Sequence, residues 1–220
     1  MIDLKKQGEL LSLIGEKIKK KVECYIVGGS AMLYHGVKEE TKDVDIVFDD
    51  EDSKEAFEKI LRDLEFKERD IRILYFKKRN TPLLLQRGEE RIDLFVKKVI
   101  TFEITETMKE RVEKVYEYSN LTVKVVSPED IILFKCATER AGDRIDASNI
   151  IKNFNVNWNV IIDEAVNQTK LESYLFPVYL YDFLEELKED FKANIPNEVL
   201  RKIRKISEGL LVKKLGKKRK

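Results

Sequence analysis

The first third of the chain alternates between helical and strand-like hydrophobic patterns. Leucines and isoleucines recur at helical spacing over residues 3–20, which predicts an amphipathic helix. Short apolar runs at 23–27 and 44–48 predict two strands. A short helix is expected after the first strand, and a longer helix, from Asp49 to about Leu64, after the second.

The middle of the chain predicts antiparallel hairpins. Residues 111–118 and 121–127 are separated by Ser119-Asn120 alone, a connection of hairpin length. Three further strand-like runs have similarly short connections: 71–78, 82–86 and 91–97. These runs predict a sheet that continues well beyond the first two strands.

The pattern becomes helical after Ser127. Ser127 in the N-cap position and Pro128 in the first helical position predict a helix start. Helices are predicted over about 128–140, 143–154, 158–168, 171–192 and 197–211. We therefore predict an α/β (α+β) protein, with a mixed sheet and flanking helices over residues 1–127 and a helical bundle over 128–220.

Composition excludes several classes of protein. At 43% hydrophobic residues, the 220-residue chain can bury a core without disulfides. No run reaches 18 apolar residues, so we expect no membrane span. Cys24 and Cys136 lack metal-ligand spacing and lie in apolar stretches, which predicts buried reduced thiols. With no signal peptide visible, we expect a cytoplasmic protein.

Charge is distributed unevenly along the chain. Residues 201–220 contain ten lysines and arginines and a single acid, whereas the whole chain has 42 basic and 41 acidic residues. A basic end on an acidic body favours a polyanionic partner such as RNA. The alternative is a solvated tail that serves solubility.

Asp43 and Asp45 are the centre of the chemical interpretation. Side chains two apart on a strand share a face and lie about 6.6 Å apart along it. Two carboxylates placed in this way repel each other by about 3 kcal/mol at about 5 Å and an effective dielectric of 20. A divalent cation that prefers oxygen ligands, Mg²⁺ or Mn²⁺, removes that repulsion. The alternative is a solvated strand end.

Two further elements point to phosphate chemistry. Asp93 is an acid in the middle of an apolar strand, where it needs a metal ion or a basic partner. The alternative for Asp93 is an ion pair with Arg91, two residues away on the same face. Gly28, Gly29 and Ser30 join a strand to a helix, where glycines allow a phosphate to approach the backbone and Ser30 adds a hydroxyl that would contact it. On their own, they also fit an ordinary strand–helix turn.

The spacing of these elements resembles a known superfamily. A strand, a Gly-Ser turn, twelve residues, an Asp-x-Asp pair and a later strand with one Asp are typical of polymerase β-like nucleotidyltransferases. The stretch VGGSAMLYHGVKEETKDVDIVF (27–48) is similar to the branch containing the AbiEii/AbiGii and MenT toxins. The resemblance implies the nucleotidyltransferase fold. It also implies a metal site at Asp43, Asp45 and Asp93 and transfer of an NMP from an NTP.

The resemblance continues in the helical half. SPEDIILFKCATERAGDRIDASNII (127–151) matches a helix pair in which Lys135 would contact the triphosphate and Asp146 the base or acceptor. Thr41 and Lys42 would lie near the nucleotide. Relatives often carry an arginine before this threonine, whereas here Glu40 precedes it and Lys42 is the candidate substitute.

The resemblance leaves the acceptor open. An RNA, with a tRNA 3′ end as the candidate, would use the basic segment 201–220. A cognate antitoxin is then a candidate partner. The first alternative is transfer to a small hydroxylated molecule or a protein side chain. The second is a non-catalytic nucleotide-binding or toxin–antitoxin partner module, which the three intact acids disfavour.

Overall fold

The computed structural model describes residues 1–70, 79–138, 140–171 and 174–217. The chain forms two compact units, Met1–Ser127 and Pro128–Lys220. Every helix within the described residues is too short or too polar to cross a membrane. The strand predicted at 71–78 lies outside the described residues.

The first unit combines strands and helices, and the predicted segments appear with small shifts in their ends. The predicted strand at 44–48 has the observed bounds, and the helix predicted from residue 3 begins at Leu4, capped by Asp3. In chain order the described elements are β1 (Ile2–Asp3), α1 (Leu4–Lys17), β2 (Val22–Val27), α2 (Gly28–Tyr34), β3 (Glu40–Thr41), β4 (Val44–Phe48), α3 (Glu51–Asp63), β5 (Lys67–Glu68), β6 (Leu83–Arg87), β7 (Glu90–Val96), β8 (Lys98–Val99), β9 (Phe102–Glu103), α4 (Glu106–Glu110), β10 (Lys114–Tyr118) and β11 (Leu121–Val125).

A mixed sheet forms the centre of this unit. Its described strands run in the order β10-β11-β2-β4-β7-β6-β5. β4 is antiparallel to β2 and parallel to β7, and β7 forms the predicted hairpin with β6. The second predicted hairpin, β10–β11, turns at Ser119, whose φ is +57°. The mixed sheet with flanking helices confirms the predicted fold class.

Strand periodicity separates the two faces of the sheet. On β4 and β7, Ile46 and Leu94 are buried on one face, with exposed fractions of 0% and 1%. Phe48 continues this apolar face and packs against Phe57 of α3, with ring centroids 5.3 Å apart. The alternate positions on the same strands, including Asp45, therefore point to the other face.

The second unit is helical within its described residues. Its first helix ends at Lys135, earlier than predicted, because Thr138 Oγ1 donates to the Lys135 carbonyl oxygen and Arg140 starts a new helix as its N-cap residue. The last helix extends beyond the predicted end at residue 211. The helices are α5 (Pro128–Lys135), α6 (Ala141–Asn153), α7 (Trp158–Leu171), α8 (Phe176–Glu189) and α9 (Asn197–Lys217).

Both cysteines are buried free thiols, as predicted. Cys24 lies on β2 with no exposed surface, and Cys136 follows α5 with 6% of its surface exposed.

The structure also contains short elements that the sequence pattern did not predict. Two-residue strands such as β1 and β3 pair with each other over Ile2↔Thr41 and Asp3↔Glu40. This pairing fixes the segment that leads into β4.

Candidate functional site

The parallel pairing of β4 with β7 brings two of the predicted acids side by side. Asp45 on β4 is directly opposite Asp93 on β7. Asp43 lies just before β4, two residues from Asp45, and is about a quarter exposed. The apolar neighbours Val44 and Ile46 are buried on the opposite face of the sheet. The first unit therefore gathers all three predicted carboxylates at one place on one face.

Asp93 is paired with an arginine in this arrangement. Arg91 Nε donates to Asp93 Oδ1 at 2.9 Å, and Arg91 Nη2 donates to Oδ2 at 2.6 Å. The Asp93 residue has no exposed surface, so this two-point ion pair neutralises a fully buried carboxylate. Arg91 Nη1 also lies 3.7 Å from Asp43 Oδ2. One guanidinium thus joins two of the three acids.

Gly28 is fitted against the carboxylate of Asp45. Its φ is +62°, in the left-handed region, and a Cβ atom on Gly28 would lie 2.5 Å from Asp45 Oδ2. The antiparallel pairing of Val27 with Asp45 produces this approach, because Gly28 follows Val27 directly. Both the backbone conformation and the contact therefore require glycine.

Gly29 is fitted against Thr41 in a similar way. A Cβ atom on Gly29 would lie 2.7 Å from Thr41 Oγ1, and Thr41 is 4% exposed. Lys38 Nζ lies 3.6 Å from the same Cβ position. A cation that was not predicted from the sequence therefore lies beside the glycine turn. Lys38 sits in a polar turn with no periodic pattern, so no local signal identifies it. Lys42, predicted to lie near a nucleotide, is exposed.

The hydroxyl of Ser30 is used inside the protein. Ser30 is fully buried, and its Oγ donates to the carbonyl oxygen of Asp43 at 3.0 Å. The bond ties the glycine turn to the segment that carries the first acid. The predicted contact of Ser30 with phosphate stays a prediction, while the structure gives this hydroxyl a role in holding the backbone at Asp43.

In the second unit, Lys135 is buried between two carboxylates. Its Nζ donates to Asp143 Oδ1 and Asp146 Oδ2, each at 2.8 Å. Burial raises the pKa of the Asp143 carboxyl, but Lys135, Thr138 and Arg140 outweigh burial and hold that pKa at about 2. The structure brings together Lys135 and Asp146, which the sequence analysis treated as separate site residues. Their predicted contacts with a nucleotide remain predictions.

The basic residues of α9 are largely exposed. Arg201, Lys202, Arg204 and Lys205 all have exposed side chains within the second unit. Farther along, Val212 is 69% exposed, so this part of the helix buries little of its apolar surface. Residues 218–220 of the predicted basic segment lie outside the described residues.

The carboxylates of the first unit suit a divalent cation only in part. Mg²⁺ prefers carboxylate oxygens and is commonly held by one or two carboxylates together with substrate phosphates. Asp43 and Asp45, both partly exposed, fit that pattern. Among the described residues, no three His, Cys, Asp or Glu side chains form a group that could hold a metal ion by themselves. The two-point pair with Arg91 accounts for the position of Asp93.

Comparisons with known proteins concern both sequence and fold. A family model described as "Nucleotidyltransferase of unknown function (DUF6036)" matches residues 3–192. One similar solved structure is ANT(2″)-Ia in complex with adenylyl-2″-tobramycin. The match has 16% sequence identity and a TM-score of 0.42, and it covers 82% of this chain and 98% of that chain. Another is an antigenic nucleotidyltransferase-like protein from Paracoccidioides brasiliensis, with 16% identity, a TM-score of 0.44 and coverage of 90% of this chain and 98% of that chain. Comparison with curated proteins gives no match.

Proposed function

The chain belongs to the DUF6036 family of nucleotidyltransferases, and from this premise we propose that Asp43 and Asp45 form the centre of its active site. The proposed reaction is metal-dependent transfer of an NMP from an NTP to an acceptor hydroxyl, with release of pyrophosphate. The observation that carries this assignment is the packing of Gly28 against Asp45 Oδ2, because this contact places the glycine turn directly beside the acidic pair Asp43 and Asp45.

We assign a chemical role to the acidic pair, to the glycine turn and to the lysine beside that turn. Asp43 and Asp45 would hold Mg²⁺ or Mn²⁺ through their carboxylate oxygens, with phosphate oxygens as further ligands. A cation bound there supplies charge stabilisation for the triphosphate and lowers the pKa of the attacking hydroxyl. Gly28 and Gly29 let the phosphates approach the backbone, and Lys38 beside Gly29 adds positive charge.

Several predicted contacts remain part of the proposal. Thr41 and Lys42 border the nucleotide in this proposal, and the nucleotide contacts predicted for Lys135 and Asp146 stay predictions. The buried pairing of Lys135 with Asp146 supports a shared role for these two residues. Asp93 is the candidate acceptor of the proton from the attacking hydroxyl.

We propose RNA as the acceptor class, with a tRNA 3′ end as the first candidate, in keeping with a toxin-like enzyme. The exposed arginines and lysines of α9 support this choice, because contacts to phosphates dominate affinity for nucleic acids. A small hydroxylated molecule or a protein side chain as acceptor needs no such surface. A cognate antitoxin would follow from the toxin-like role.

An acceptor screen with matched variants tests this choice. The full chain is incubated with each α-labelled NTP, Mg²⁺ or Mn²⁺, and total tRNA, a protein extract or a set of small polyols. We expect a labelled tRNA band that disappears in Asp43→Asn. Deletion of 212–220 should reduce the labelling of tRNA, and it should make the remaining labelling less sensitive to the salt concentration. Alanine at the exposed lysines 19–21 is the matched control and should leave labelling unchanged.

The other outcomes decide between the alternatives. Label on a polyol or a protein, unaffected by the deletion, would reject RNA and keep nucleotidyl transfer. Nucleotide binding without any labelled product would favour a non-catalytic nucleotide-binding module over the proposed enzyme.

A further inference from the structure

Arg91 is a cation in contact with the acidic cluster, by which we mean Asp43, Asp45 and Asp93. It donates two hydrogen bonds to Asp93 and lies 3.7 Å from Asp43. The three acids of the cluster carry three negative charges if ionised, and like charges this close repel each other. Arg91 offsets part of that repulsion. It stands two residues before Asp93 on β7, so its side chain leaves the same face of the strand.

The contact geometry sets up a conflict between Arg91 and a metal ion. Both oxygens of Asp93 accept hydrogen bonds from Arg91, and Asp93 has no exposed surface. An ionised carboxylate has about four acceptor positions, so a cation bound to Asp93 would share that carboxylate with Arg91 and be repelled by its positive charge. Asp43 faces the same conflict more weakly, because its contact with Arg91 is longer and its side chain is partly exposed.

We propose that Arg91 is a positioning residue that competes with the divalent cation for the acidic cluster. It stabilises the metal-free protein by neutralising Asp93 and holding Asp43, and it sets how tightly the cluster binds metal. This inference rests on the proposed function, since it assumes that Asp43 and Asp45 are metal ligands. It assigns to Arg91 a role in metal affinity as well as in folding.

Binding of Mn²⁺ tests the competition directly. The metal-free full chain is titrated with Mn²⁺, and the free ion is followed by electron paramagnetic resonance. We expect Arg91→Met to bind Mn²⁺ about tenfold or more tightly than wild type, comparable to the effect of a charge within ~4–6 Å on the proton affinity of a carboxylate. Arg91→Lys keeps the charge but loses the two-point pair, and its affinity for Mn²⁺ should lie between those of wild type and Arg91→Met.

Arg87→Met is the matched control. Arg87 also makes a two-point pair with a carboxylate, donating to Glu90 Oε2 at 2.9 and 2.8 Å, but that carboxylate is outside the acidic cluster. Its variant should bind Mn²⁺ as wild type does. In the presence of a chelator, the Tm of Arg91→Met should be lower than that of wild type. At saturating Mn²⁺ the two Tm values should become equal. Any loss of Tm in Arg87→Met should be the same with and without Mn²⁺.

The outcomes separate the two proposals. Equal or weaker Mn²⁺ binding by Arg91→Met, with no recovery of Tm and with NMP transfer intact in wild type, would overturn the role of Arg91 alone. Absence of both Mn²⁺ binding and transfer in wild type would overturn the proposed function as well. If Arg91→Met does not fold, affinity of Arg91→Lys equal to that of wild type overturns the competition.

Discussion

Substitution of Gly28 by alanine tests the packing on which the site is built. A residue with a Cβ atom in the left-handed region costs about 1–2 kcal/mol. At Gly28 the new methyl group would also meet Asp45 Oδ2 at 2.5 Å, and overpacking of this kind costs a further ~1–3 kcal/mol. We therefore expect Gly28→Ala to lower the free energy of unfolding by about 2–5 kcal/mol.

Gly88 provides a matched control for this substitution. Its φ is +57°, close to that of Gly28, but a Cβ atom there would meet nothing within 4 Å among the described residues. Gly88→Ala should therefore cost only the ~1–2 kcal/mol of backbone strain. The difference between the two variants isolates the contact with Asp45. Urea unfolding followed by circular dichroism measures both values.

Activity sharpens the comparison. Gly28→Ala must displace either the turn or Asp45, and a misplacement of about 1 Å can reduce kcat on the order of 10²-fold. Gly88→Ala should transfer NMP at the wild-type rate. Equal losses of stability in the two variants, with activity retained in both, would refute the packing of Gly28 on Asp45.

Three further predictions concern buried polar groups. Ser30→Ala should cost about 1 kcal/mol of stability by removing the bond to the backbone at Asp43, whereas Ser148→Ala, at a hydroxyl with no hydrogen-bond partner in the described chain, should stay within ~0.5 kcal/mol in urea unfolding. Lys135→Met should cost about 3–5 kcal/mol, seen as a lower Tm, because it leaves two carboxylates without their shared cation. Asp143 has a folded-state pKa of about 2, below its ordinary 3.8, so its contribution is complete above about pH 4 and is lost as the pH falls through about 2. In wild type this group accounts for a loss of about 2 kcal/mol in the free energy of unfolding at acid pH, and Asp143→Asn should remove that loss. A free energy of unfolding that falls with pH in Asp143→Asn as strongly as in wild type would contradict the lowered pKa of Asp143.

Local patterns predicted the parts of the site that depend on neighbours in sequence. Asp43 and Asp45 are two residues apart, and the strand between Val44 and Phe48 is visible in its apolar alternation. The pair of Arg91 with Asp93 was foreseeable as the alternative to a metal site, because the two residues share a face of one strand.

Other features depend on contacts between distant segments. The register that places Asp45 opposite Asp93 depends on which strands pair, and no local pattern encodes it. The same holds for Ser30, whose hydroxyl reaches the backbone at Asp43 across thirteen residues. Hydrophobic pattern also predicted the end of the first helix of the second unit at 140 instead of Lys135, because a hydrogen bond from the polar side chain of Thr138 caps that helix earlier.

The position of the label in the product tests the central claim most directly. Wild type is supplied with NTP labelled at either the α- or the γ-phosphate, with the acceptor found in the screen and with Asp45→Asn beside it. Nucleotidyl transfer predicts that α-label moves to the acceptor, that γ-label leaves as pyrophosphate, and that both disappear in Asp45→Asn. Transfer of γ-label to the acceptor, or equal α-label transfer by Asp45→Asn, would contradict the account.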